Sequence, residues 1–374
     1  MEMDRNWFPA KRCLRNDDTG VWPCEDLAAG PEPSAPESGS TQFSKNDDPR
    51  VNAITPSLVM VTFDLPYTVS GVSERHYYGT GLIVDTKRGL IVVDRNTVPV
   101  AMGDVSITFA GSLQINGRVE YVHPLHNLAI VAYDPALIGD TAVRAAKFSK
   151  EKLVAGDDVW VVGLKGDHQI AHQVSTVASV DAILLPLSRT MRFRDTNLEA
   201  ISLVNAPGDI DGVIVDKRGA VVAKWVSFAL GGDGGQINRG LSAEMVQEFV
   251  DIVRSGKSVY SLEVEVGYTP LFAARKLGLD EAWLDRLESH NPTGRRALSV
   301  SRLVAGTPAA DLLRNGDMIL AVDGKLITTF REMERAVQKP TVELTVWRDG
   351  DAIEIDLPTV ALGGEGVTRA ISWA

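Results

Sequence analysis

The sequence predicts a mainly β protein whose last hundred residues mix strands with helices. Three observations carry that expectation. From about residue 53 to 228, short apolar segments rich in β-branched residues recur, such as Ser57-Leu-Val-Met-Val-Thr-Phe63, Leu90-Ile-Val-Val93 and Asp158-Val-Trp-Val-Val-Gly163. Gly, Asp-Pro and Asp-Lys-Arg-Gly stretches punctuate them, which fits a sandwich or closed barrels better than a parallel α/β sheet. Beyond Gly231-Gly-Asp-Gly-Gly235 the apolar period changes from strand-like to helical.

In chain order, residues 1–25 are dense in charged and aromatic side chains. Residues 26–52, rich in Pro, Ser, Gly and acids, have little to bury and read as a flexible linker. The β region follows over 53–230, and Val215-Asp-Lys-Arg-Gly-Ala-Val-Val-Ala-Lys-Trp225 reads as a hairpin about a tight turn. Residues 231–258 form a hinge and linking helix. There Ser242 is the predicted N-cap, Glu244 in the first turn is read as its capping-box partner, and Met245, Val246, Phe249, Val250 and Val253 share one face. Residues 259–360 form the mixed unit, closed by Thr341–Trp347 and Ala352–Leu357 around Arg348-Asp-Gly-Asp351, a strong hairpin signal.

Composition narrows the function classes. The chain has 374 residues and a formal charge of −11, which disfavours a nucleic-acid partner. No segment approaches the roughly 18 apolar residues of a membrane span, and the first residues lack the apolar core of a signal peptide. The two cysteines, Cys13 and Cys24, leave compartment unreadable; two thiols in a large chain are more often free than bridged. Neither a metal site nor a cofactor is implied: His168 and His172 have an i, i+4 spacing but flank a strand-like run, and His76, His123 and His126 read as surface loop residues.

Three stretches carry a family resemblance. Gly89-Leu-Ile-Val-Val-Asp-Arg-Asn-Thr-Val98 resembles the "GxIxTNxHVV" segment of the HtrA/Deg serine proteases, with Asn96 where the family has its catalytic His. His126-Asn-Leu-Ala-Ile-Val-Ala-Tyr-Asp-Pro135 places Asn127 at the catalytic Asp position. Gly208-Asp-Ile-Asp-Gly-Val213 places Ile210 where "GNSGGP" carries the nucleophilic Ser. A fourth, Ala305-Gly-Thr-Pro-Ala-Ala-Asp-Leu-Leu-Arg-Asn-Gly-Asp-Met-Ile-Leu-Ala-Val-Asp-Gly-Lys-Leu-Ile327, resembles a PDZ domain. The resemblance implies a chymotrypsin-like double β-barrel followed by an α+β PDZ domain, and is closest to the degenerate second module of long tandem-repeat members. In that frame residues 1–25 resemble the end of a preceding PDZ domain and residues 361–374 the start of a further segment, so the chain is expected to be a piece of a longer protein.

Acyl transfer needs a hydroxyl nucleophile, a base beside it and a carboxylate to orient the base. Ile210 offers no nucleophile, a carboxamide at Asn96 cannot take a proton at neutral pH, and Asn127 can bond Asn96 but brings no charge. Carboxylates at Asp209 and Asp211 are expected to repel a developing oxyanion. Ser202, before the Ser-position loop, shows no spacing that joins it to the histidines. In the PDZ unit the family's carboxylate-binding loop maps onto Tyr260, Ser261, Leu262, Glu263 and Val264. Glu263 replaces a glycine there, which counts against capture of a peptide C-terminus. Phe330, Met333 and Val337 would line the groove helix or serve as its core contacts; their spacing leaves both open.

The expected function is therefore a catalytically silent HtrA-like module with PDZ, a structural, regulatory or peptide-binding part of a larger serine protease of protein quality control. Two alternatives stand beside it: a fragment of an active endopeptidase whose catalytic module lies upstream, and a stand-alone peptide-binding adaptor. Expected partners are extended or unfolded peptide segments, an active protease module, or further copies of the chain.

Overall fold

The computed structural model describes residues 38–67, 74–185, 195–229 and 235–363, together with the backbone of two short strands, β1 (Lys11–Cys13) and β2 (Cys24–Asp26). These two pair antiparallel with Cys13 opposite Cys24; their side chains, the expected segment 361–374 beyond residue 363, and most of the Gly231–Gly235 stretch lie outside the described residues. Helix α1 (Pro49–Ile54) begins at Asp48, whose carboxylate accepts from the Arg50 amide, and seals one end of the seam below.

Six strands, β3 (Leu58–Asp64), β4 (His76–Asp85), β5 (Leu90–Val93), β6 (Asp104–Phe109), β7 (Leu113–Val122) and β8 (Ala129–Tyr133), close into a barrel in the order β3-β4-β5-β8-β7-β6. A second closed barrel has the order β10-β11-β14-β13-β12-β9, built from β9 (Asp158–Leu164), β10 (Ile170–Ala182), β11 (Glu199–Leu203), β12 (Asp211–Val215), β13 (Val221–Ala229) and β14 (Gln236–Ser242). Closure leaves no unpaired strand edge. The tight turn read around Asp216–Gly219 joins β12 to β13, with Val215 opposite Val221 and φ +78° at Gly219.

Side-chain alternation explains why several strands are apolar without interruption. In β5, Ile91 and Val93 fill the first barrel while Leu90 and Val92 face the seam between barrels. In β12, Ile214 fills the second barrel while Val213 and Val215 meet the same seam. Strands covered on both faces lose the polar half of the period-two pattern.

Helix α2 (Ala243–Ser255) lays Met245, Val246, Phe249 and Val250 into that seam. Its N-cap is Ser242, whose hydroxyl accepts from the Met245 amide at 3.3 Å, but the capping box expected there does not form. Glu244 stands two residues after Ser242 rather than three, out of reach of the cap amide, and pairs with Arg335 at 2.7 Å instead.

The remaining unit contains β15 (Val259–Ser261), β16 (Val264–Pro270), β17 (Arg296–Leu303), β18 (Met318–Val322), β19 (Lys325–Leu326), β20 (Thr341–Arg348), β21 (Asp351–Pro358) and β22 (Val360–Leu362). The main sheet runs β16-β17-β18-β20-β21, with β19 on β18, and β15 pairs β22 separately. The Asp349-Gly350 turn between β20 and β21 has φ of +52° and +95°, the two left-handed positions a two-residue hairpin needs. Helices α3 (Leu271–Lys276), α4 (Glu281–His290), α5 (Pro308–Leu312) and α6 (Phe330–Ala336) cover this sheet. A capping box does form at α6, between Thr329 and Glu332. Phe330, Met333 and Val337 are all buried, in the same apolar cluster as Leu344 and Val346.

Candidate functional site

The site begins in the turn after β5. Asp94 Oδ1 accepts from the Thr97 amide at 2.8 Å and the Thr97 hydroxyl at 2.7 Å, which fixes the intervening Asn96. Asn96 Nδ2 donates to Ser227 Oγ at 2.9 Å, and Asp94 Oδ2 accepts from the Ser227 amide at 2.9 Å and from its hydroxyl at 3.1 Å. Ser227 has one hydroxyl proton, so it accepts from the carboxamide and gives that proton to Asp94.

Asn127 joins the same group through its own three bonds. Its amide donates to Asp195 Oδ1 at 2.7 Å, its Oδ1 accepts from the Arg95 amide at 2.8 Å, and its Nδ2 donates to the Ser227 carbonyl at 2.7 Å. Asn96 and Asn127 thus meet through Ser227 on β13 rather than bonding each other, which corrects the contact expected from the sequence. Asn96 thus acts as a donor at the position where the resemblance places a base.

Ile210 goes elsewhere. Its side chain is buried in the second barrel with Val159, Val161, Ile214 and Trp225. Only its neighbour reaches the first barrel: a Cβ built on Gly79 would stand 2.2 Å from Thr97 Oγ1 and 2.7 Å from Asp211 Oδ2, so those two side chains meet around a position only glycine fits. Replacing Ile210 by Ser should therefore cost roughly 2 kcal/mol in urea unfolding without creating a labelled nucleophile. An isosteric fit of the hydroxyl, with no loss of stability, would contradict this placement.

The two carboxylates expected to face an oxyanion do not do so. Asp209 is exposed and paired with Lys165 at 2.8 Å. Asp211 lies in the inter-barrel seam, where Oδ2 accepts from the Thr80 amide at 2.9 Å and its carbonyl accepts from the Thr80 hydroxyl at 2.6 Å. Lys224 Nζ, fully buried, is 3.4 Å from Asp211 Oδ1. Burial raises the Asp211 pKa, and the Asp94 charge adds to it against the pull of Lys224.

His123 and His126, expected on an exposed loop, are both buried, with rings stacked 4.9 Å apart. His123 Nδ1 accepts from the amides of Leu125 and His126, and burial, with the His126 charge beside it, pushes the His123 pKa far down. His126 Nε2 instead reaches Glu334 of α6 at 2.8 Å. Burial alone would raise the Glu334 pKa, but the charge and hydrogen bond of His126, with Arg331, hold it well below the carboxylate range. The other sequence candidates stay apart: His168 sits in a turn at φ +67°, His172 on β10 and Ser202 on β11. Among the described residues no group of three or more His, Cys, Asp or Glu side chains could hold a metal.

In the PDZ unit, Tyr260 and Ser261 belong to β15 and pair with Ala361 and Val360. Leu262, Glu263 and Val264 are buried, and Glu263 adopts φ +59°, the left-handed backbone that glycine adopts most readily. The Glu263 amide donates to Ser261 Oγ at 2.9 Å and its carbonyl accepts from the Val304 amide at 3.1 Å.

Sequence reading missed Ser227, Asp195, Lys224 and Glu334. A lysine inside the apolar run Val221-Val-Ala-Lys-Trp-Val226 was the one available signal, since a lone cation there demands a buried counter-charge.

Two closed six-stranded barrels followed by a PDZ domain define the HtrA-type serine proteases, and the chain belongs to that family. Residues 299–348 match the PDZ domain family model. The chain is 30% identical over 389 residues to "Pro-apoptotic serine protease nma111" of Aspergillus niger, a match covering 99% of this chain and 38% of that protein. It is 32% identical over 376 residues to "Protease Do-like 7" of Arabidopsis thaliana, covering 90% of this chain and 34% of that one. The chain thus spans a little over a third of the curated relatives it matches. Among solved structures, the HtrA-type protease AlgW with a decapeptide aligns with a TM-score of 0.57 at 15% identity, covering 84% of this chain and 98% of that one. The serine endoprotease from Yersinia pestis aligns at 0.52 and 15%, covering 86% of this chain and all of its own. No helix among the described residues is long and apolar enough to cross a membrane.

Proposed function

We propose that this chain is a catalytically silent HtrA-type module with PDZ, serving as a structural, regulatory or peptide-binding part of a larger serine protease of protein quality control. One observation carries the reading. At the positions that resemble the triad, two carboxamides spend their donors on Ser227 and the third residue is a buried isoleucine. Neither carboxamide can take a proton from a hydroxyl, and the hydroxyls of Ser227 and Thr97 are both already bonded to Asp94.

The test is direct. The purified chain should take no label from a fluorophosphonate probe and should leave unfolded casein intact over hours. Labelling or cleavage that survives further purification and disappears in Ser227→Ala would overturn the reading and assign chemistry to Ser227.

A second reading operates at the level of the whole polypeptide. The relatives are named proteases, and the matched stretch is 38% and 34% of their lengths. That favours an active catalytic module elsewhere in the parent protein, with this chain as its non-cleaving partner. Peptide binding by the PDZ unit is part of the same proposal; it is supported by the PDZ match and by the decapeptide in the AlgW structure.

A further inference from the structure

The chain has two cysteines, Cys13 and Cys24, and they are register partners. Strands β1 and β2 pair antiparallel as a two-stranded sheet of their own, with Lys11 opposite Asp26, Arg12 opposite Glu25 and Cys13 opposite Cys24. Each pair is chemically complementary. Opposite charges at directly opposed positions stabilise an antiparallel ladder, so the first two pairs favour the register that brings the third together. A slip of one residue in either direction would keep a single charge pair and set Cys13 opposite Pro23 or Glu25. The sequence between the cysteines supports the same register. Asp17-Asp-Thr-Gly20, with the residue types of a tight turn, is centred midway between them.

Directly opposed residues of an antiparallel pair have Cα atoms about 4.5–5.5 Å apart. Disulfides span Cα separations of roughly 4.4–6.8 Å, so opposed positions can be bridged without moving the backbone. Stability favours the same bond. Each strand has only three residues. A two-stranded sheet that short is marginal in water, and a covalent staple is one of the few ways to order it.

We propose that Cys13 and Cys24 are a redox-reactive pair that closes β1 onto β2 covalently, with a disulfide of the oxidised-glutathione class as co-reactant. One cysteine thiolate attacks a sulfur of the donor disulfide, forms a mixed disulfide and releases one donor thiolate. The second cysteine thiolate attacks the protein sulfur of that mixed disulfide, forms the Cys13–Cys24 bond and releases the second donor thiolate. The two cysteines together lose two electrons, the donor gains them, and the two cysteine protons pass to the released thiols. Oxidation thereby locks the β1–β2 pair, whereas the reduced form relies on the ladder and its two charge pairs. The proposal does not depend on the protease-like or the peptide-binding reading.

The full chain, equilibrated in glutathione buffers, acid-quenched and weighed intact, tests this. The oxidised protein should be lighter than the reduced one by about 2 Da, the two thiol hydrogens, and should carry no glutathione. In the double variant Cys24→Ser, Glu25→Cys the second thiol moves by one position and so to the other face of the strand. The glutathione ratio (reduced, squared, over oxidised) that half-reduces the protein should be at least about tenfold higher for the parent than for this variant. Arg12→Glu sets two acidic residues opposite each other and should lower the parent's ratio about threefold. Trypsin should cut after Arg15 at least about tenfold more slowly in the oxidised parent than in the reduced one. Equal half-reduction ratios for the parent and either variant would overturn the proposal. So would glutathione adducts in place of the internal bond, or equal trypsin rates in the two redox states.

Discussion

Replacing Lys224 by methionine should destabilise the chain by about 3 kcal/mol, because it removes the fully buried counter-charge of a carboxylate whose side chain is only 25% exposed. Lys224 projects from the middle of β13 with no exposed surface, and its ammonium is shared between Asp211 Oδ1 at 3.4 Å and the Trp225 carbonyl at 3.1 Å. Asp211 in turn holds Thr80, whose hydroxyl also accepts from the Leu164 amide at 3.0 Å, so the pair sits at a junction of both barrels. Without the cation the Asp211 pKa, already raised by burial, rises further. The sign follows: a carboxylate with a raised native pKa costs stability above that pKa, and the cost disappears as pH falls toward its unfolded value. The deficit of Lys224→Met should therefore shrink between pH 7 and pH 4. The double variant Asp211→Asn, Lys224→Met, which leaves no charge behind, should recover most of the loss. Urea unfolding of the parent and the variants (including Asp211→Asn alone) would check this. A single variant within 1 kcal/mol of the parent, or a double variant no better than the single, would contradict it.

The same pair shows where sequence reading stops. Strands, hairpins and the PDZ unit were legible because they are local: period-two alternation, Asp349-Gly350 between apolar runs, a serine before a helical period. Asn96 and Asn127 stood out in the sequence because the stretches around them resemble the family's motifs in spacing. What could not be read is pairing across distance. His126 looks like a loop residue until Glu334, 208 positions later, closes over it. Ser227 is unremarkable in an alternating strand, and only barrel closure sets it between Asn96, Asn127 and Asp94. The expectation for Asp211 failed for a related reason. Its charge was assigned to the backbone position of an oxyanion hole, whereas the side chain leaves that loop and enters the seam. Phe330 and Met333 illustrate a third limit: one helical period serves a groove or a core equally well, and their burial in one cluster with Leu344 and Val346 is set by the folded unit, not by the spacing.

Asp195→Asn should change how stability depends on pH, by about 2 kcal/mol between pH 4 and pH 7. Asp195 is 3% exposed and its pKa is pushed up to about 6, mainly by burial, against the opposing effects of the His126 charge, the Asn127 amide and Arg95. Its reference value is 3.8, so the folded chain holds this proton more tightly than the unfolded chain does. Stability from this group is accordingly complete below pH 3.8, falls as pH rises through the window up to about 6, and stays low above it. Asparagine keeps an oxygen that can accept from the Asn127 amide and carries no charge at any pH. The difference in unfolding free energy, variant minus parent, should thus rise from pH 4 to about pH 6 and then level off. Glu334 works in the opposite direction: its pKa is held down by the His126 contact, so its contribution is present above its unfolded value and lost as pH falls. His126 lies between the two carboxylates, 4.0 Å from Asp195 and 2.8 Å from Glu334, so the difference reports the Asp195 charge together with its coupling through His126. Urea unfolding at four pH values between 4 and 7 is sufficient. A difference that stays flat, or that falls as pH rises, would mean that Asp195 shares its charge with water or with Arg95 far more than its enclosure implies.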